Sequence, residues 1–126
     1  MGSHAFAYAL LPHAGGWRDA GVLAEAIRFN APLRSTRPVG PSFASVDDPN
    51  VVLDTIKRAE RSDALVLRLY EAHGARGVAH VRLRDAPRQA QLANALEEPH
   101  TEATIEGHDI VVPYLPHQVL PVLVTT

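Results

Sequence analysis

LVLRLYEAHGARGVAHVRL, residues 65–83, is the stretch on which the fold turns. Leu65, Leu67 and Leu69 alternate with Val66, Arg68 and Tyr70, the two-residue period of a strand with one dry face. Gly74 and Gly77 within HGARG mark a turn, because glycine takes positive φ at no steric cost. Ala79, Val81 and Leu83 then alternate with His80, Arg82 and Arg84. The stretch therefore reads as a β-hairpin, with the leucines beside Ala79, Val81 and Leu83 on its dry side. It also gathers Glu71, His73 and His80 around one turn, which raises the question of a site.

The flanking sequence keeps to short strands and turns. Residues 42–46 form a weak strand, DDPN (47–50) a turn and residues 51–57 a β-branched strand, although Val52, Leu53 and Ile56 would also suit a helix, with the charged RAERSD bridging to residue 64. A second, tight hairpin runs through residues 103–105, Glu106-Gly107-His108-Asp109 and residues 110–112. Residues 118–124 are a last apolar strand, and Pro121 within it favours an edge or a bulge. RQAQLANALEE (88–98) has the composition of a helix instead. The succession predicts a mainly β protein, with an antiparallel β-sandwich over residues 42–126.

The N-terminal third reads differently. Residues 1–4 look like a tag remnant, outside the fold. Residues 5–11, AFAYALL, are strand-like and apolar on both faces, which suits a piece of something larger. A short helix fits residues 17–29, with Trp17, Ala20, Leu23, Ala24 and Ile27 on one side and Asn30 and Pro32 as stop signals. Residues 31–41 hold three prolines and read as an extended linker. An unpartnered Phe6/Tyr8/Leu10 strand would also favour self-association.

Bulk properties exclude several classes. At 126 residues the chain fits one domain, and about 65% of its unfolded surface can be buried. With 46% hydrophobic and 21% charged residues it has the balance of a soluble globular protein. A formal charge of −2 offers no field for a phosphate backbone, so nucleic acid is not an expected partner. No apolar run reaches the roughly 18 residues of a membrane helix. The absence of cysteine rules out disulfides and zinc–thiolate sites.

Seven histidines make a metal site worth weighing. Glu71 and His73 share a strand face, but His80 is in phase with Arg82, opposite Ala79 and Val81, so the three converge only through a bulge. An inward Glu71 has another use: it can accept the loose N–H groups of HGARG or pair with Arg76, since a bare buried carboxylate costs several kcal/mol. Arg68, facing outward, suits a domain interface. His108-Asp109 falls in a turn, His13 and His117 lie beside prolines, and Trp17 and Tyr70 do not combine into a sugar platform. No nucleophile elbow, phosphate loop or H-E-x-x-H occurs. The residues that could reach a domain junction or a substrate are Arg68, Glu71, His73 and Arg76, with no catalytic, cofactor or metal residue among them.

The order FAYALLPHAGGW, NAPL, SFASVDDPNVVLDTIKRAE, LVLRLYEAHGARG, NALEEP and a Pro-led last strand resembles the C-terminal end of a family 38 α-mannosidase, of the bacterial and cytosolic branch. The resemblance runs from about residue 5 to residue 126. It implies a long cytoplasmic enzyme that hydrolyses α-mannosidic bonds with retention. An aspartate nucleophile and a divalent metal, usually zinc, would sit in an N-terminal domain to which no position here corresponds. It also implies that residues 5–16 are the last strand and turn of a preceding β-domain, residues 17–41 a helix and linker, and residues 42–126 the small C-terminal sandwich. Around NALEEP it implies a strand, against propensity. The expectation is a non-catalytic C-terminal domain whose partners are the other domains of the enzyme and, through them, its mannoside. A self-contained sugar-binding or cupin-like metal-binding module is the alternative.

Overall fold

The computed structural model describes residues 2–31 and 40–126, which fall into two compact units divided after residue 39. Most of the expected proline-rich linker (residues 32–39) lies outside the described residues.

In the first unit, helix α1 (Val22–Asn30) starts later than the apolar wheel over residues 17–29 predicts. Gly21 takes the left-handed conformation, φ 65°, and closes the turns of residues 17–20 before the helix begins. Trp17 thus lies outside α1 and meets it through its carbonyl, which accepts the Val22 N–H at 3.2 Å. No residue of α1 is buried, and Arg28 pairs with Glu25 on its surface. Residues 6–11 join no strand ladder among the described residues, and Phe6, Tyr8 and Leu10 are each more than 80% exposed.

The second unit is the expected antiparallel β-sandwich. Its strands are β1 (Ala44–Val46), β2 (Val51–Arg58), β3 (Leu65–Glu71), β4 (Gly77–Leu83), β5 (Gln89–Ala93), β6 (Pro99–Glu102), β7 (Thr104–Glu106), β8 (Asp109–Tyr114) and β9 (Val119–Thr125). One sheet has the order β1-β4-β8-β7 and the other β2-β3-β9-β5-β6.

The pairing of residues 65–83 departs from the sequence reading. β3 and β4 do not form a hairpin; they belong to different sheets, β3 between β2 and β9, β4 between β1 and β8. The turn after Glu71 is an arch that carries the chain from one sheet to the other. Leu67 and Leu69 consequently meet Ala79, Val81 and Leu83 across the core, not side by side, and Ile110, Val112, Val122 and Val124 close the same cluster. Alternation shows which face of a strand is dry but not which strand lies beside it, so both arrangements satisfied the pattern.

The other hairpin holds. β7 and β8 pair Ile105 with Ile110 and Glu106 with Asp109 around Gly107-His108. Gly107, at φ 66°, supplies the positive φ required at the first position of a II′ turn.

Pro121 does not mark an edge. β9 lies in the middle of its sheet. The Glu71 N–H donates to the Gln118 carbonyl (2.9 Å), so by antiparallel alternation Arg68 and Pro121 form a non-hydrogen-bonded pair. The proline nitrogen therefore turns away from β3, toward β5, whose ladder with β9 ends one residue earlier at Leu92/Val122. Pro113 in β8 sits the same way: Leu83 N–H to His108 O (3.0 Å) fixes the phase, and the ladder from β7 ends at Thr104/Val111.

Residues 88–98 are neither a helix nor one continuous strand. Gln89–Ala93 is β5, with Ala90 buried in the core and Leu92 packed against it. Asn94 then ends the strand, its side-chain oxygen accepting the N–H groups of Leu96 (2.9 Å) and Glu98 (3.0 Å). The strand implied around NALEEP thus stops just before the motif, which is itself a loop until β6 begins at Pro99.

Candidate functional site

Three connections at one end of the sandwich cross between the sheets: residues 47–50 lead from β1 to β2, residues 72–76 from β3 to β4, and residues 115–118 from β8 to β9. One side chain ties two of them together. The Glu71 carboxylate, completely buried, accepts the backbone N–H groups of His73 (2.8 Å), Gly74 (2.8 Å), Ala75 (2.9 Å) and His117 (2.7 Å). Burial alone would raise its pKa, but the four donors outweigh that and hold it at about 2. His117 reaches its position through a left-handed backbone, φ 57°, and its ring lies over Gly74, where an added Cβ would come within 3.1 Å of Nε2.

The third connection joins through Asp48 and Asn50. Asp48 accepts the N–H (2.8 Å) and the side-chain amide (3.0 Å) of Asn50, while Tyr114 donates its hydroxyl to the other Asp48 oxygen at 2.6 Å. That bond to a carboxylate, with burial, raises the Tyr114 pKa. Asn50 in turn accepts the Ala72 N–H on its carbonyl (2.9 Å) and meets His73 Nδ1 with its side-chain oxygen (3.2 Å). Gly77 is required beneath this cluster, because a Cβ there would stand 2.8 Å from the Tyr114 hydroxyl.

The four candidate residues of the sequence reading are therefore not equivalent. Glu71 is a buried acceptor for backbone, and His73 is held half-buried against Asn50. Arg68 points from the outer face of its sheet toward Glu97, 3.5 Å away. Arg76 is exposed at the arch and makes no ion pair with Glu71 or with any other described residue. His80, the third member of the weighed metal set, is bound to Asp47 through Nδ1 (2.9 Å) and through its backbone N–H (2.7 Å). Among the described residues no three His, Asp or Glu side chains come together as a metal set. His108 turns Nδ1 toward the Leu83 carbonyl (3.2 Å), and Asp109 receives both Nε and a terminal nitrogen of Arg82, which lowers its pKa.

One group escaped the sequence reading. Glu97, in the loop after β5, sits at φ 64° with its side chain only 7% exposed. It binds Lys57 (2.7 Å) and Arg68 on the outer face of the second sheet and accepts the Glu60 N–H (2.9 Å). The Lys57 bond is the main reason its pKa is lowered. Nothing in LEEP signals a carboxylate folded back onto a sheet. Beside it lies a cleft of about 420 Å³ lined in part by Arg61, Asp63, Gln89, Gln91 and Glu98.

Comparison with known proteins gives a consistent picture. The family model described as "Glycosyl hydrolases family 38 C-terminal beta sandwich domain" matches residues 50–122. Alpha-mannosidase 2C1 of Homo sapiens is 39% identical over 133 residues, which is 97% of this chain and 13% of that protein. The Mus musculus protein of the same name is 38% identical over 98% of this chain, and alpha-mannosidase G of Dictyostelium discoideum 35% identical over 59% of it. The chain spans 13% of the length of the two mammalian relatives and 8% of the third.

Proposed function

We propose, for a chain that belongs to the C-terminal β-sandwich domains of the family 38 glycosyl hydrolases, the role of a non-catalytic domain in a longer α-mannosidase. The observation that carries this is the match over nearly all of this chain to so small a part of much longer α-mannosidases. The disposition of the side chains supports it. The carboxylates at the end that holds Glu71 serve backbone, tyrosine or histidine partners and do not stand free as the acid and base of glycoside hydrolysis do.

On this reading the mannoside, the aspartate nucleophile and the divalent metal, zinc by the family resemblance, belong to residues outside these 126. The same resemblance supports a bacterial, cytoplasmic enzyme, while the mammalian and amoebal relatives widen the family beyond bacteria. No helix among the described residues is long and apolar enough to cross a membrane. Residues 5–16 are read as the last strand and turn of a preceding β-domain: their exposed apolar side chains suit a sheet not contained here. Self-association through that strand is the competing use for it.

The test is hydrolysis of a chromogenic α-mannoside by the full-length enzyme, by the enzyme lacking residues 40–126, and by this chain alone. Turnover by the first and none by the last is expected; turnover by this chain above a mock-purified control overturns the reading. A sugar contact within the chain would find a foothold in the cleft that Glu97 helps to line. Calorimetry with mannosides checks it, and no heat of binding removes it.

A further inference from the structure

The two ends of the sandwich differ in kind. At one end the turns carry Arg58, Glu60, Arg61, Asp63, Arg84, Asp85 and Arg88, all exposed, the composition of a solvated surface. At the other, Val78, Leu115 and Val119, each at least half exposed, stand with exposed Pro49, Pro113 and Pro116, beside the polar Asp47, His117 and Gln118 and the guanidinium of Arg76. Val78 and Pro113 are adjacent, as a non-hydrogen-bonded pair on the outer face of their sheet.

The connections at this end are hydrogen-bonded to one another through Glu71. Arg76 and Leu115 stand on the two connections that hang on Glu71, so their positions are fixed before any partner arrives. Fixing them in advance lowers the ordering cost of association, and exposed apolar groups around a guanidinium have the composition of an interface centre.

We infer that this end is a docking surface for another domain of the same polypeptide, one that presents an acidic group to Arg76 within an apolar surround. The inference rests on the reading of the chain as part of a longer enzyme. Two observations favour that occupant. The relatives have most of their length outside the matched region, so another domain is at hand in them. A second copy of this chain fits poorly, because a twofold contact would set Arg76 against its own surface. Asp48 and Glu71 are already engaged there, by Tyr114 and by four N–H groups, and the exposed Asp47 is paired with His80.

The chain contains no cysteine, so an introduced thiol is the only one within it. The experiment is maleimide labelling of full-length enzyme carrying Leu115→Cys, Val78→Cys or the control Arg61→Cys, read by peptide mass spectrometry. The expected result is labelling at residues 78 and 115 about tenfold or more slower than at residue 61, although all three are exposed in this domain. Adding Arg76→Glu should bring labelling at residue 115 up toward the control rate. Equal rates at all three positions overturn the inference, and so does protection that fades on dilution, which would assign the surface to a second copy. Turnover of an α-mannoside is measured on the same samples. Protection without turnover sinks the mannosidase reading and keeps the docking surface; turnover with full labelling does the reverse.

Discussion

The Glu71 carboxylate and the His117 N–H, far apart in sequence, meet at 2.7 Å, and through that bond two connections running in opposite directions between the sheets share one acceptor. A neutral side chain cannot replace it. A glutamine in its place would bring one acceptor oxygen and an amide that itself donates toward N–H groups. Glu71→Gln should destabilise the chain by about 2 kcal/mol, and Glu71→Ala by more, because several buried donors lose their acceptor. Urea unfolding checks this; a change within error would show that water replaces the carboxylate.

The same carboxylate sets an acid limit. Its folded pKa, about 2, lies below the ordinary 4.5, so its stabilisation is complete above pH 4.5 and is lost as the pH falls toward 2. The wild-type melting temperature should fall through that window, and Glu71→Gln should flatten the fall. Parallel acid profiles for the two proteins would contradict the assignment.

Gly77 is held small by Tyr114. Gly77→Ala places a Cβ 2.8 Å from the tyrosine hydroxyl and should cost about 1–3 kcal/mol as overpacking. Tyr114→Phe removes the nearest of the atoms that the Cβ meets and leaves a ring carbon at 3.0 Å, so the double variant should lose less than the two single changes added together. Additive losses, measured as a double-mutant cycle, would show that the close approach does not set the cost.

Pro121 should be replaceable. Its nitrogen faces a stretch where β5 no longer pairs, so Pro121→Ala breaks no ladder bond and loses only its buried ring carbons, a cost of about 1–2 kcal/mol. Leu120→Pro, one residue away, removes an N–H aimed at β3 and should cost about 3 kcal/mol or more. Chemical denaturation of both variants checks the contrast; comparable losses would mean the strand phase is misassigned.

Glu97 combines an anchor with an awkward backbone. Glu97→Ala loses the Lys57 and Arg68 contacts and keeps φ 64°, while Glu97→Gly loses the same contacts and relieves about 1 kcal/mol of backbone cost. The glycine variant should therefore be the more stable of the two in a thermal melt. The reverse order would mean the loop relaxes out of the left-handed region.

What the residues disclosed, and what they withheld, follows from which forces act locally. The dry faces of β3 and β4 are readable because Leu67, Leu69, Val81 and Leu83 alternate, and the Glu106–Asp109 turn is readable because Gly107 answers to a geometry of only a few residues. The inward Glu71 at a strand end likewise pointed to the N–H groups of residues 73–75. The fourth donor, from His117, was not visible, because it depends on how two sheets stack. For the same reason an arch and a hairpin look alike in residues 65–83. In residues 88–98, Ala and Gln favour a helix, but Ala90 is drawn into the core and Leu92 against it at strand spacing, and burial outweighs propensity. Glu97 gave no signal, since its partners Lys57 and Arg68 stand on other strands.

The two interior prolines also govern how this fold tolerates change in length. Beyond Leu92 and before Thr104, a lengthened neighbour would find no donor on Pro121 or Pro113 to continue the zip. Residues inserted at those places would bulge out as loops and leave the registers of the central strands undisturbed, so the outer strands can vary among descendants of one ancestor while the middle of each sheet stays in step.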